Sequence, residues 1–232
     1  MSIDVRASEG VATRTVERAL ALLSEVCAHE ATTLTEAARA TSLPASTALR
    51  LLRTMESSGF VERDADGWYF AGPRILQIGA GALNRNALVR LAEPTLRRIV
   101  DATGESVYLS VRGPDETAVY LAMAEGTYSV RHTSWAGRSV PLEGLAVGRA
   151  LRGDVGPGGF VSQRDRHEPD VTAISAPIRR FGGVVGAISI LGPTYRIDDA
   201  GLARYGAILH RETTALGVAL GASHRTGQEL GS

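Results

Sequence analysis

The chain has 232 residues, 44% of them hydrophobic and 22% charged, the composition of a soluble globular protein long enough for two domains with separate cores. Its 25 basic residues, all arginine, balance 25 acidic ones, and residues 1–71 carry more acids than bases. That excludes a globally basic nucleic-acid binder, so any DNA contact must rest on local arginine placement. No apolar run approaches the ~20 residues of a membrane span, and residues 1–11 lack the apolar core of a signal peptide; the single cysteine rules out an intrachain disulfide, and a cytoplasmic protein is expected.

Residues 1–11 are polar without periodicity and read as a flexible arm. Over 15–29, Val16, Ala19, Leu20, Leu22, Leu23 and Val26 recur at helical spacing, and Cys27 beside them is expected to be a small core residue. Thr35 offers the N-cap of a second, short helix that ends before a tight turn at Ser42-Leu43-Pro44. Ala48, Leu51, Leu52 and Met55 then mark the apolar face of a helix over 46–57, and its opposite face carries Ser46, Leu49, Arg50 and Arg53. Pro44 suits the start of that helix and Gly59 its left-handed end. Phe60, Val61, Trp68, Tyr69 and Phe70 flank Asp64-Ala65-Asp66-Gly67, a short-range hairpin signal. Helix, turn, helix, hairpin in this order predicts a winged helix-turn-helix.

After Gly72-Pro73, residues 74–83 form a partly apolar helix whose glycines and alanines let a second helix come close, which predicts a linker helix and a dimer contact. Residues 88–103 make an amphipathic helix that Gly104 stops. The period then changes to two over 106–112 and 117–124, antiparallel neighbours in a sheet, with a further strand expected over 128–134. Residues 137–144 form a loop feeding a short helix over 145–151, and the glycine-rich 153–159 is a flexible connection. Strands over 171–178 and 184–191 pair around a hairpin at 179–183. A closing helix runs from Asp198 to about Ala219, and 223–232 are expected to be disordered.

No catalytic constellation emerges. His132, His167, His210 and His224 lack metal-ligand spacing, and Asp165-Arg166-His167-Glu168 reads as a solvated polar loop. Ser189 has no Gly-x-Ser-x-Gly elbow around it, and there is no phosphate-cradling loop. Neither an enzyme nor a cofactor is expected.

Over residues 13–222 the chain resembles the IclR family of bacterial transcriptional regulators. The resemblance is carried by TVERALALL, LTEAARATSLPASTALRLLRTMESSGFVERD, GPRILQIG, PLEGLAVGRAL, and AISAPI followed by GAISILGP, in this order and spacing. It implies an α+β chain: a winged helix-turn-helix DNA-binding domain over 12–72, a linker helix over 73–86, and a GAF-like effector-binding domain with a mostly antiparallel sheet over 87–222. It further implies a dimer or dimer of dimers on a palindromic operator, responding to a small metabolite. Three positions depart from the family pattern. Ala45 stands where a basic residue is common and Leu49 where a polar ring is. The loop near 153–160 is shortened. Leu191 replaces a second hydroxyl two residues after Ser189.

A helix in the major groove reads base edges from its first turns, while the wing and helix ends meet phosphates. Ser46 and Thr47 are short hydroxyls suited to either, Arg50 can fork to guanine, and Leu49 can pack on a thymine methyl. Arg53 and Arg63 are candidates for phosphate contact. For the effector, strand period places Ala187, Ser189 and Leu191 on one face, and Gly144-Leu145-Ala146 offers backbone N–H groups at a helix start that suit a small organic acid. The reading is a homo-oligomeric, sequence-specific, metabolite-sensing regulator with no membrane partner. Its alternatives are a constitutive regulator whose second domain only dimerises, and a protein-interaction module that does not bind DNA.

Overall fold

Apolar side chains at three- and four-residue spacing draw the first three helices together around Leu22, Val26, Ala37, Ala48, Leu51 and Leu52. The computed structural model describes residues 5–132 and 137–229, with side chains over 13–132 and 137–222. It divides into two units, one ending at Ala82 and the other beginning at Leu83. In the first, α1 (Val5–Ala28), α2 (Leu34–Ala40) and α3 (Ala45–Ser57) are followed by a hairpin of β1 (Val61–Arg63) and β2 (Tyr69–Ala71). Val61 and Tyr69 of the hairpin are buried against the same core. This is the winged helix-turn-helix expected from the sequence.

Local chemistry fixes the element ends. The N-cap of α2 is Thr33, not Thr35, because Glu36 three residues later completes a reciprocal box: Glu36 N donates to Thr33 Oγ1 at 3.3 Å and Thr33 N to Glu36 Oε2 at 2.9 Å. Beyond the end of α3, Gly59 has φ 74°, the left-handed geometry that glycine enters without strain. In the wing, Arg63 pairs with Tyr69, and Trp68 N donates to Asp64 Oδ1 at 2.8 Å. Thr32 bridges to the outer side of Tyr69, a single-residue pairing with no sequence signal. Two expectations fail here. Residues 5–11, read as an arm, are the opening turns of α1. Cys27 is exposed: Leu22 and Val26, four residues apart, set the buried face, and the next residue turns about 100° away from it.

Helix α4 (Pro73–Arg85) crosses the boundary between the units and buries none of its residues. The second unit continues with α5 (Ala87–Thr103), β3 (Ser106–Arg112), β4 (Thr117–Ala124), β5 (Ser139–Pro141), α6 (Ala146–Arg152), β6 (Val161–Arg164), β7 (Val171–Arg180), β8 (Gly183–Pro193), a 3-10 turn (Thr194–Arg196) and α7 (Asp199–Glu229). The strands form one antiparallel sheet in the order β5-β4-β3-β8-β7-β6. On one face, Leu96 and Ile99 of α5 and Leu209 and Leu216 of α7 cover Ile174, Ile188 and Ile190. On the other, Ala146, Val147 and Ala150 of α6 cover Tyr108, Tyr120, Ala187 and Leu191.

The strand expected over 128–134 is absent from residues 128–132, of which 128–130 form bends and 131–132 are irregular, and Thr133 and Ser134 lie outside the described residues. β5 and β6 went unread because each is short, and Ser162-Gln163-Arg164 gives no apolar alternation. Residues 223–229, expected to be disordered, continue α7. Among the described residues no helix is long and apolar enough to cross a membrane.

The capping box yields a pH-dependent expectation. The Thr33 side-chain and then backbone hydrogen bonds hold the Glu36 carboxyl below its ordinary range. The resulting stabilisation is present above the unfolded carboxyl's pKa and is lost as pH falls through the depressed folded value. Thr33→Ala is expected to cost about 1 kcal/mol, as N-cap losses do, and to flatten the acid side of a melting temperature against pH curve.

Candidate functional sites

In the first unit, the side of α3 turned from its core is a solvent-facing groove lined by Ser46, Leu49, Arg50, Arg53, Thr54 and Ser57. Thr54 and Ser57 follow Arg50 and Arg53 by one helical turn and were missed although the period places them there. Ser46, Arg50 and Arg53 are exposed, whereas Thr47 and Leu49 are half-buried. Pro44 caps α3 with no side-chain acceptor, and the N–H groups of Thr47 and Ala48 both return to Pro44 O. The amides ahead of them, at the positive end of the helix, face outward without a helical acceptor. Arg63 is exposed on the wing, its guanidinium 5.5 Å from the centroid of the Tyr69 ring. Among the described residues, Arg50, Arg53 and Arg63 make no ion pair. Three cations on one small unit whose remaining charges are mostly acidic are therefore available to an external anion.

In the second unit, a cavity of about 40 Å³ lies between α6 and the sheet. Of the residues named from sequence, Leu145, Ala146, Ser189 and Leu191 line it. Gly144 does not; it has φ 68° and turns the chain into α6. Beside the expected residues stand Tyr120 from β4, Gln163 from β6, and Val171, Ala173 and Ser175 from β7. Ser175 pairs with Ser189 across β7 and β8, and their hydroxyls lie 2.8 Å apart. The second hydroxyl that Leu191 does not supply thus comes from the neighbouring strand. Gln163 Nε2 is buried and has no hydrogen-bond partner among the described residues. A buried amide donor without a partner costs about 1–3 kcal/mol, which sets this donor apart on the cavity wall.

The loop read as solvated is also part of the cavity: Arg166, His167 and Glu168 line it, because the β6–β7 turn folds back over the sheet. His132 enters from the segment after β4, with Nδ1 2.7 Å from Tyr108 Oη and Nε2 3.2 Å from Glu168 Oε2. Burial, with Tyr120 next, pushes the Tyr108 phenol well above its ordinary range. Among the described residues no group of three or more His, Cys, Asp or Glu has metal-binding geometry.

A further cluster sets His132 in place. Ser106 Oγ donates to His132 O at 3.2 Å and accepts from Gly126 N at 3.1 Å. Arg196 donates to Val130 O at 3.0 Å and lies 4.1 Å from the centroid of the Tyr128 ring. The same guanidinium grips the fully buried Glu105 through two bonds of 2.6 and 2.8 Å. These bonds raise the guanidinium above its ordinary range. Residues 126–132 are thereby fastened to the sheet at both ends.

A winged helix with free cations on its third helix, followed by an α/β unit with a polar-lined cavity, is the architecture of a DNA-binding regulator with a separate C-terminal domain. Comparison with known proteins agrees. The IclR helix-turn-helix domain matches residues 15–65, and the bacterial transcriptional regulator IclR C-terminal domain matches residues 80–153. The HTH-type transcriptional regulator BhcR of Paracoccus denitrificans is 29% identical over an alignment spanning 82% of this chain and 81% of that one. An IclR transcriptional regulator from Alicyclobacillus acidocaldarius superposes with a TM-score of 0.76 at 22% identity, covering 86% of this chain and 97% of its own. An IclR homologue from Microbacterium hydrocarbonoxydans, solved in complex with 4-hydroxybenzoate, superposes at 0.67 with 21% identity, covering 87% and 99%. The chain belongs to the IclR family of transcriptional regulators.

Because Glu105 is fully buried, removing its partner leaves a carboxylate without compensation. Arg196→Ala is expected to destabilise the second unit by about 3–5 kcal/mol, read by urea denaturation; a loss below about 1 kcal/mol, typical of a solvated pair, would show that the pair is not structural.

Proposed function

We propose that the chain acts in the cytoplasm as a homo-oligomer that reads a palindromic operator with α3 and the wing, and that its second unit senses a small organic acid. For DNA, the observation that carries the reading is the free cationic face of α3. Arg50 is placed to fork to guanine O6 and N7, with Ser46, Thr47 and Leu49 reading alongside it. Arg53, Arg63 and the open amides at the start of α3 meet phosphates. The oligomer is supported by α4, where Leu76 and Ile78 are 69% and 51% exposed on a helix that buries nothing within its own chain. Apolar side chains on an unpacked helix call for a partner surface.

For the effector, the Gln163 donor, unpartnered among the described residues, carries the reading. A carboxylate there would also meet the N–H groups at the start of α6, which no side chain caps, while its other polar group reached the Ser175–Ser189 pair. The volume limits the ligand: about 40 Å³ is far below the ~150 Å³ cavity that accepts benzene. This favours a short aliphatic hydroxy or oxo acid over an aromatic one such as the 4-hydroxybenzoate of the Microbacterium protein. The acid would favour one arrangement of the oligomer and shift the spacing of its recognition helices. The same narrowness favours a second reading, in which this unit only assembles the oligomer.

Two measurements decide. Fluorescence anisotropy with the intergenic DNA beside this gene should give preferential, salt-dependent binding over scrambled DNA. Arg50→Ala should erase about 1–3 kcal/mol of that preference, and Arg63→Ala should weaken both DNAs alike and lower the salt slope by about one. Equal binding of both DNAs by the wild type, at every salt concentration, would sink base reading at that site. A thermal-shift panel of acetate, glycolate, glyoxylate, pyruvate and lactate should yield stabilisation near 2.7 kcal/mol at about 100 times the Kd, lost in Gln163→Ala. A flat panel would favour the assembly-only unit.

A further inference from the structure

A groove of about 410 Å³ lies between α7 and the end of β7, and it shares no described lining residue with the cavity under α6. Val155, Pro177 and Val218 give it apolar walls, Arg179, His210 and Thr214 are its polar side chains, and no acid stands among its described lining residues. Helix α7 comes this close to β7 because residue 217 is glycine: a Cβ there would run into Arg179 O. Gly221, one turn on, is under no such constraint. The nearest atom to a Cβ at that position would be Phe181 Cε1 at 3.9 Å, an ordinary contact, so backbone packing does not demand the space left beside it.

Phe181 stands at one end of the groove, at the tip of the β7–β8 hairpin. Arg180 pairs with Gly183, so Phe181 and Gly182 are the two central residues of the turn, with φ 50° and 83°. A turn of this kind favours Asn, Asp or Gly at its first centre, and a bulky residue held there is strained. Burial does not repay the strain, since Phe181 is 72% exposed and Val218, on the facing wall, is 71% exposed. A strained, solvent-facing aromatic points to a role outside the fold. Beside it, Arg179 donates to Gly153 O at 3.2 Å, which sets its guanidinium on the groove wall. Neither Arg179 nor Arg180 has an acid partner among the described residues. Asp154, next to Val155, is already held by Arg149 at 2.9 Å.

We propose that this groove is a second ligand site, for a monocyclic aromatic carboxylate whose ring lies between Phe181 and the Val218–Gly221 stretch of α7 and whose carboxylate is held by Arg179. The ring supplies the burial that Phe181 and Val218 lack, and the anion meets a cation that no acid of the protein neutralises. Size agrees: a cavity of ~150 Å³ accepts benzene, so an aryl acid that the cavity of about 40 Å³ under α6 shuts out is admitted here. The site goes beyond the effector reading above and does not rest on it, so either can fail while the other stands.

The probe is 4-fluorobenzoate, titrated with the full chain and followed by fluorine NMR, where its resonance should shift saturably. Phe181→Asn supplies a residue that the turn favours, so the melting temperature should hold or rise while affinity falls roughly threefold to tenfold, the loss of one aromatic pair. Arg179→Gln should weaken binding roughly tenfold to hundredfold, the loss of a hydrogen bond to a charged group. Gly221→Leu, which fills the groove with a better helix former, should abolish it. Gln163→Ala, in the other cavity, should leave it unchanged. A native chain that gives no saturable shift overturns the site, as does native affinity retained in both Phe181→Asn and Gly221→Leu. Binding lost in Gln163→Ala would place the probe under α6 and overturn it equally.

Discussion

Successive side chains of a strand must leave opposite faces of its sheet, and in the second unit that constraint on β8 decides almost everything else. Ile188 and Ile190 go to the face covered by α5 and α7, and Ala187, Ser189 and Leu191 go to the face covered by α6. A slip of one residue against β3 or β7 would put the serine among isoleucines and two isoleucines into the cavity, so the register is strongly specified. It is held on both sides, by β3 through Tyr108 opposite Ser189 and by β7 through Ser175 opposite Ser189. The cavity exists because the residues sent to the α6 face at this point are small or polar where those on the other face are bulky and branched.

This explains how far the chain could be read from its sequence. Elements whose signal is local were legible: the face of α3, the glycine at its end, the wing, and the alternation that fixes β3, β4, β7 and β8. Ser189 and Leu191 were found because both lie on one strand with an unambiguous period. Ser175 lies on an equally legible strand, but its meeting with Ser189 depends on which residue of β7 faces which of β8, and that follows from a hairpin geometry with a bulge after Ile178. Gln163 sits on a strand too short and polar to announce itself. His132 and Glu168 are separated by a strand, a helix and another strand, and no spacing rule links them. The reading of Asp165-Arg166-His167-Glu168 as a solvated loop came from composition and agrees with the exposure of its first three residues, but composition describes what a loop is made of and does not show that it borders the cavity.

The two units distribute polar chemistry in opposite ways. In the first, the buried residues are apolar apart from Thr32 and the cations stand outside, on α3 and the wing, with no acid of the described residues paired to them. An overall charge of zero is therefore compatible with a local site for a polyanion, since the groove along α3 that holds Arg50 and Arg53 is lined by no acid, whereas Arg63 on the wing stands beside Glu62 and Asp64; exposed charges more than a Debye length apart are largely screened, about 10 Å at 0.1 M salt. In the second unit the polar groups are inside: Ser106, Ser175, Ser189, Glu105 and His132 are all buried. A solvent-facing site can tolerate movement of its side chains, because the partner organises them on contact. An enclosed one must have its donors in place beforehand, since each misplaced one stays unsatisfied.

That requirement accounts for the Glu105–Arg196 pair. As a source of stability it is a poor choice, because desolvating two charges consumes most of what their attraction returns, and an apolar pair of similar size would serve as well. It also constrains its surroundings: a Cβ at Gly192 would lie 2.5 Å from Glu105 Oε2, so β8 must carry glycine there. What an apolar pair cannot do is reach onward. Having spent two donors on Glu105, the guanidinium still has one for Val130 O and a face for Tyr128, and through them it fixes the course of the segment that ends at His132. A lysine's single ammonium would not span these partners in one plane. The arginine is retained as the brace of an irregular stretch that has no sheet hydrogen bonds of its own.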